Sequence, residues 1–332
     1  MTAIGEGPGE RRNAGIDMFR GLLVLAVLLG HFSELTERQS LLTWFGTGFR
    51  MPVFIGLTGY MFNLDRARTM PLAALLRRYL RRLVIPWGLA CAVHLVAAER
   101  LTLLSPITIF VQPPFHLWFV PVMMAFVIVA AISRRTPTAM LAIAIPISIG
   151  AMYLFGVGHG VTEIARWMPD RRFFIYPIFF FFGLWVASRQ AGPWTTPVAI
   201  VLAGIGILWW CRLYQQPMPV GEVAAELISG LSLVSLLPVV RRLPLTLPPI
   251  DDIGRQSLFF YLWHPMVFGL WLTCGVRGSA MLVLSLATLV GLRAVIARAP
   301  RIAWLLGVES RRPRPESPRL LPVVVPLSDP AP

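Results

Sequence analysis

The sequence predicts an all-α, polytopic transmembrane helix bundle of about ten spans, with both termini in the cytoplasm. Three observations predict it. Apolar residues fill 56% of the 332 positions and charged residues only 14%, with a mean hydropathy of +0.68. That is a membrane composition, not one soluble core. The apolar residues fall into ten runs, at about 16–33, 44–63, 83–98, 115–133, 138–158, 173–188, 194–213, 222–240, 257–275 and 279–298, each near the length a bilayer requires. The arginines sort between these runs. With the N-terminus inside, 20 lie in inner segments and 7 in outer ones, the bias that sets orientation.

Composition also excludes some functions. The net charge of +14 comes entirely from arginine, with no lysine in the chain. Those arginines cluster briefly between apolar runs, so topology explains them and a nucleic-acid surface does not. Cys91, Cys211 and Cys274 lie in or beside apolar runs without zinc spacing or a disulfide framework. No metal-ligand cluster and no phosphate-binding glycine loop is present. Arg11 and Arg12 precede an apolar run, as in a signal peptide, but no small-residue cleavage site follows His31, so the run is read as a retained first helix. The chain divides into a cytoplasmic segment (1–15), one membrane domain (16–298) and a Pro/Arg-rich tail (299–332) expected to be disordered in the cytoplasm. No internal repeat is evident, which weighs against transporters built from duplicated halves. Pro52, Pro86, Pro121, Pro146 and Pro177 fall within spans and are expected to kink them.

The first span, IDMFRGLLVLAVLLGHFS, carries Asp17, Arg20 and His31. Arg20 and His31 are eleven residues apart, close to three turns, so they share a face about 16 Å apart along the axis. Asp17 lies one turn before Arg20 on that face. Lipid does not tolerate such a face, so it lines a bundle interior or a watery cavity. The plainer alternative is an Asp17–Arg20 salt bridge with a satisfied buried histidine.

The second span places Arg50 about two turns in from its outer end. A short loop makes the first two spans antiparallel neighbours, so Arg50 and His31 share a depth. Arg50 either meets a polar partner there or snorkels to the interface. The third span opens RRYLRRLVIPW, with Arg77, Arg78, Arg81 and Arg82 at its inner mouth. The cluster is a positive-inside signal, or it holds phosphates through forked hydrogen bonds. The fourth opens FHLWFVPVMM, with His116 near the outer surface; His94 reaches a similar depth in the third span and reads as a packed histidine. Arg171 and Arg172 precede the sixth span against the positive-inside trend, beside Asp170 and not far from Glu163. Glu222 and Glu226 make the eighth span the weakest. The ninth reads IGRQSLFFYLWHPMVF, with Arg255, Tyr261 and His264.

Taken in order, these pieces resemble acyltransferase family 3, the bacterial membrane acyltransferases. The pieces are Asp17, Arg20, Gly21 and His31, then FRMPVF followed by LTGYMF, the Arg77–Pro86 segment, HLWF and GRQSLFFYLWH. Thr58–Gly59 stands where the family usually has Ser–Gly, and Gln256 where it usually has Asn. The resemblance covers about residues 13–300. It implies a multi-pass protein of a bacterial plasma or inner membrane that moves an acyl group, acetyl by first expectation, from cytoplasmic acyl-CoA to a hydroxyl. The acceptor would be a sugar, a glycan as in polysaccharide O-acetylation, or a lipid-linked or exported metabolite.

It also implies roles. His31 is the general base, Arg50 stabilises the thioester oxyanion, and Arg20 fixes the donor or the helix through Asp17. Arg78, Arg81 and Arg82 bind acyl-CoA. Glu34, His116, Arg255, Tyr261 and His264 support the site, Glu34 by orienting the His31 imidazole. Acyl-CoA is a co-substrate and no bound cofactor or metal is expected; the other partners are membrane lipids. The rival reading is a transporter or flippase for a glycan or metabolite, which would not turn over acyl-CoA. A third is a scaffold that retains only the fold.

Overall fold

The computed structural model describes residues 13–35, 40–157, 169–190 and 192–309. Among these, all regular structure is helical. Six helical runs are long and apolar enough to cross a membrane: Ala14–Leu35, Leu72–Ala97, Pro137–Phe155, Thr195–Leu213, Pro219–Arg242 and Ser279–Ile296. Phe119–Ile132 and Arg172–Ala187 are apolar but shorter.

In chain order, α1 is Ala14–Leu35, α2 Leu41–Phe45, α3 Arg50–Met61, α4 Leu64–Thr69 and α5 Leu72–Tyr79. A π-helical turn, Leu80–Val84, joins α5 to α6, Ile85–Ala97. Next come α7 Ser105–Val111, α8 Phe119–Ile132, α9 Pro137–Phe155, α10 Arg172–Ile175, α11 Pro177–Ala187, α12 Thr195–Leu213 and α13 Pro219–Ser235. The chain closes with α14 Leu237–Arg242, α15 Pro248–Arg255, α16 Ser257–Thr273, α17 Ser279–Ile296 and α18 Pro300–Ala303.

Local chemistry explains several boundaries. Thr136 caps α9 by accepting from the Ala139 N–H at 3.2 Å, with Pro137 in the first turn. Pro177 begins α11 and so separates it from α10. The expected second span, 44–63, breaks into α2 and α3. The break seats Trp44 on Trp210 of α12. The rings stack at 4.7 Å, and each indole N–H donates to the other residue's carbonyl, at 2.9 and 3.0 Å. In the third, the Arg77–Arg82 cluster lies inside one helical run from Leu72 instead of ahead of a helix starting at 83.

Two glycines from separate sequence motifs meet in one crossing. A Cβ on Gly21 of α1 would collide with the Ile250 carbonyl oxygen of α15, and a Cβ on Gly254 of α15 with that of Asp17. The close approach of α1 and α15 needs both. One core packs Phe126 of α8 against Phe179, Phe180 and Phe181 of α11. A second packs Val24 and Leu28 of α1 against Phe260 and Phe268 of α16 and Leu289 of α17. A third joins Trp87 of α6, Leu117 and Leu262. The α1, α6, pre-α8 and α16 segments of these cores meet around the histidines described next.

Of the expected tail, Pro300–Ala303 and the following 3₁₀ turn Trp304–Leu306 are helical, with Ala303 and Val308 buried. The rest of it, 310–332, lies outside the described residues, as do residues 1–12 of the N-terminal segment.

Candidate functional site

Four of the five histidines gather at one place. His31 comes from α1, His94 from α6, His116 from the turn before α8, and His264 from α16. The His264 ring centroid lies 5.1 Å from that of His31 and 5.0 Å from that of His116. His116 is 5.5 Å from His31 and 5.3 Å from His94. The fifth, His159, is outside the described residues.

Each ring has one nitrogen against a group that only accepts. His31 Nδ1 is 2.8 Å from Glu34 Oε2. His94 Nε2 is 3.1 Å from the Leu262 carbonyl, His116 Nε2 3.1 Å from the Tyr261 carbonyl, and His264 Nδ1 2.8 Å from the Phe260 carbonyl. A carbonyl or ionised carboxylate requires the proton on the facing nitrogen, so in each neutral imidazole the other nitrogen is bare. For His31 that bare atom is Nε2. The Nε2 of His264, which is fully buried, has no hydrogen-bond partner. Each ring, when neutral, thus has one lone pair to offer. No three His, Cys, Asp or Glu side chains among the described residues are arranged to hold a metal ion.

Arg50 completes the Glu34 side. Its Nη2 is 3.4 Å from Glu34 Oε1 and its Nη1 3.5 Å from the Ala26 carbonyl. A Cβ on Gly30 would run into its guanidinium. Arg50 is 7% exposed, so it is a buried partner of α1 and does not snorkel. Arg50, Glu34 and His31 thus form one polar chain. Tyr261 braces the far side. Its hydroxyl donates to the His116 carbonyl at 2.7 Å and accepts from the Phe119 N–H at 3.1 Å.

Arg20 sits eleven residues before His31 on the unbroken α1, about 16 Å away along the axis. It forms no ion pair among the described residues, and lies within electrostatic range of Asp17, Glu309 and Arg82. The expected Asp17–Arg20 contact is thus a through-space attraction. Arg78, Arg81 and Arg82 are all exposed. Arg81 and Arg82 lie in the π-helical turn, a distortion that often re-aims functional side chains. Of the three, Arg82 is the one within electrostatic range of Arg20.

Three further arginines have partners of their own. Arg255 pairs with Asp252 at 3.0 Å, and Asp252 also takes Arg293 at 2.8 Å. That is a clamp between α15 and α17, away from the histidines. Arg172 pairs with Asp170 at 3.1 Å and lies over the Trp118 ring at 4.7 Å. Arg171 donates to the Phe155 carbonyl at 2.7 Å. Glu163 lies outside the described residues. Sequence reasoning missed His94 as a member of the cluster. Its similar depth to His116 was the available signal.

A family model described as an acyltransferase domain matches residues 13–297, from the start of α1 to the end of α17. No curated protein and no solved structure matches the chain.

Proposed function

The chain belongs to the acyltransferase-domain family, and from that premise we propose that it is a membrane O-acyltransferase drawing on cytoplasmic acyl-CoA. The acceptor is a hydroxyl of a sugar, glycan or exported metabolite. The observation that supports this reading best is the His31–Glu34 contact. It ties down Nδ1 and leaves the Nε2 lone pair free to take a proton.

In this reading the donor's phosphates rest on Arg82 and its neighbours at the inner mouth. The pantetheine arm runs outward along the α1 face from Arg20 to His31. The acceptor hydroxyl gives its proton to His31 Nε2 as its oxygen attacks the thioester carbonyl carbon. The tetrahedral oxyanion then collapses, the carbon–sulfur bond breaks, and the thiolate takes the proton from His31. The products are the acyl ester and free coenzyme A. Glu34 keeps His31 in the right tautomer and stabilises the imidazolium, as carboxylates do for catalytic histidines.

The sequence-level assignment of Arg50 to the oxyanion changes here. Its guanidinium already serves Glu34 and the Ala26 carbonyl, so we assign it to hold Glu34. Arg255, tied to Asp252, is left out of the site.

The test is transfer of a labelled acyl group from acyl-CoA in membranes carrying the parent or His31→Gln. The parent should transfer and the variant should not. Membranes that consume no acyl-CoA with the parent present would favour the transporter reading.

A further inference from the structure

The segment after α17 returns across the inner end of the bundle and places a carboxylate on the donor arginine. Its docking is mainly through backbone. The Gln256 side chain exchanges two hydrogen bonds with Glu309: Nε2–H to the Glu309 carbonyl at 3.1 Å, and the Glu309 N–H to Oε1 at 2.9 Å. The Trp263 indole donates to the Leu306 carbonyl at 3.0 Å. Gly307 turns the chain in the left-handed region at φ 81°, which Gly adopts without strain. Val308 and Ala303 are buried in the core of α1 and α16. Gln256 is itself buried.

With the backbone so held, the Glu309 side chain reaches Arg82 and ion-pairs with it. Glu309 and Arg82 both lie within electrostatic range of Arg20. An acidic group therefore reaches both arginines at this end of α1, Arg82 by an ion pair and Arg20 through space. The segment that carries it lies beyond the matched acyltransferase domain, which stops at 297.

We propose that Glu309 is a built-in competitor for the donor's phosphates, a latch on Arg82 that acyl-CoA must displace. The inference rests on the acyl-CoA reading above. The pair's side chains are 57% and 48% exposed, and exposed pairs are weak. The latch is thus releasable and does not block the site. If it is closed for about half to four fifths of the time, it lowers apparent donor affinity about two- to fivefold. Because the strap is held by backbone atoms and by Gln256, neutralising Glu309 leaves it docked.

The test measures binding of coenzyme A itself to the purified full-length protein, which needs no acceptor. Glu309→Gln should bind coenzyme A about two- to fivefold more tightly at low salt, and the gain should shrink as salt rises. Gln256→Asn, whose shorter side chain loosens the strap, should shift affinity in the same direction. Unchanged or weaker binding in Glu309→Gln would overturn the latch and leave the donor reading standing. Failure of both parent and variant to bind coenzyme A would overturn the donor reading, and the latch with it.

Discussion

The Arg50 guanidinium occupies the space that a side chain on Gly30 would fill. One helix therefore lacks a side chain so that another can set a charge against Glu34, one turn from Gly30. Gly30→Ala should push Arg50 off Glu34 or separate α1 from α3. Overpacking of this kind costs about 1–3 kcal/mol. The expected result is acyl transfer as low as in Arg50→Gln, measured in membranes matched for protein amount. Parent-level transfer in Gly30→Ala would mean that the clamp has no part in the chemistry.

The polar chain from Arg50 through Glu34 to His31 gives a ranking. His31→Gln keeps a hydrogen-bonding side chain but supplies no base, so turnover should fall roughly 10²–10⁴-fold. Glu34→Gln keeps an acceptor for Nδ1–H but not its charge, so its loss should lie between the parent and His31→Gln. Both should leave the KM for acyl-CoA near the parent's, because neither touches the inner arginines. A Glu34→Gln enzyme as inactive as His31→Gln would make Glu34 part of the proton transfer itself.

At the inner mouth, Arg82 should matter more than Arg78 or Arg81, because it alone of the three faces Arg20 and Glu309. Arg82→Gln should raise the KM for acyl-CoA by roughly tenfold, the loss of one charge-assisted bond discounted for exposure. Arg78→Gln and Arg81→Gln should raise it less. Equal effects from all three would indicate a diffuse basic surface instead of a phosphate contact.

The arginine bias predicts that reporters fused at Gly15 and at Arg314 both read as cytoplasmic. An external signal from either would break the ten-span map and would put Arg82 and Glu309 on the wrong side for a cytoplasmic donor.

Much of the site was legible because helical periodicity is exact enough to project. The Arg20–His31 spacing gave a shared face, and a short loop gave Arg50 at the depth of His31. His94 is packed as read, buried and bonded to the Leu262 carbonyl, but its place in the cluster was hidden because its partners come from segments distant in sequence, and no local pattern records that α6 and α16 adjoin. The Arg50–Gly30 fit was hidden for the same reason, since a glycine in an apolar run carries no mark of what fills its space. The start of the tail misled differently. Proline and arginine suggest disorder, yet Gln256, some fifty residues away, supplies the hydrogen bonds that hold Glu309.

Tyr261 ties α16 to the turn that opens α8. Its hydroxyl joins the His116 carbonyl to the Phe119 N–H, and its own carbonyl receives His116 Nε2. The Phe119 N–H opens α8 and has no intrahelical acceptor. Tyr261→Phe removes one oxygen and strands two buried polar groups, at about 1–3 kcal/mol for each left unsatisfied. The melting temperature should drop. The loss at His116 is positional and not chemical, so turnover should fall while the KM for acyl-CoA stays near the parent's. Thermal unfolding and donor titration of the purified variant would check this. An unchanged melting temperature would mean that water replaces the hydroxyl, and that the His116 side of the cluster is wetter than its packing implies.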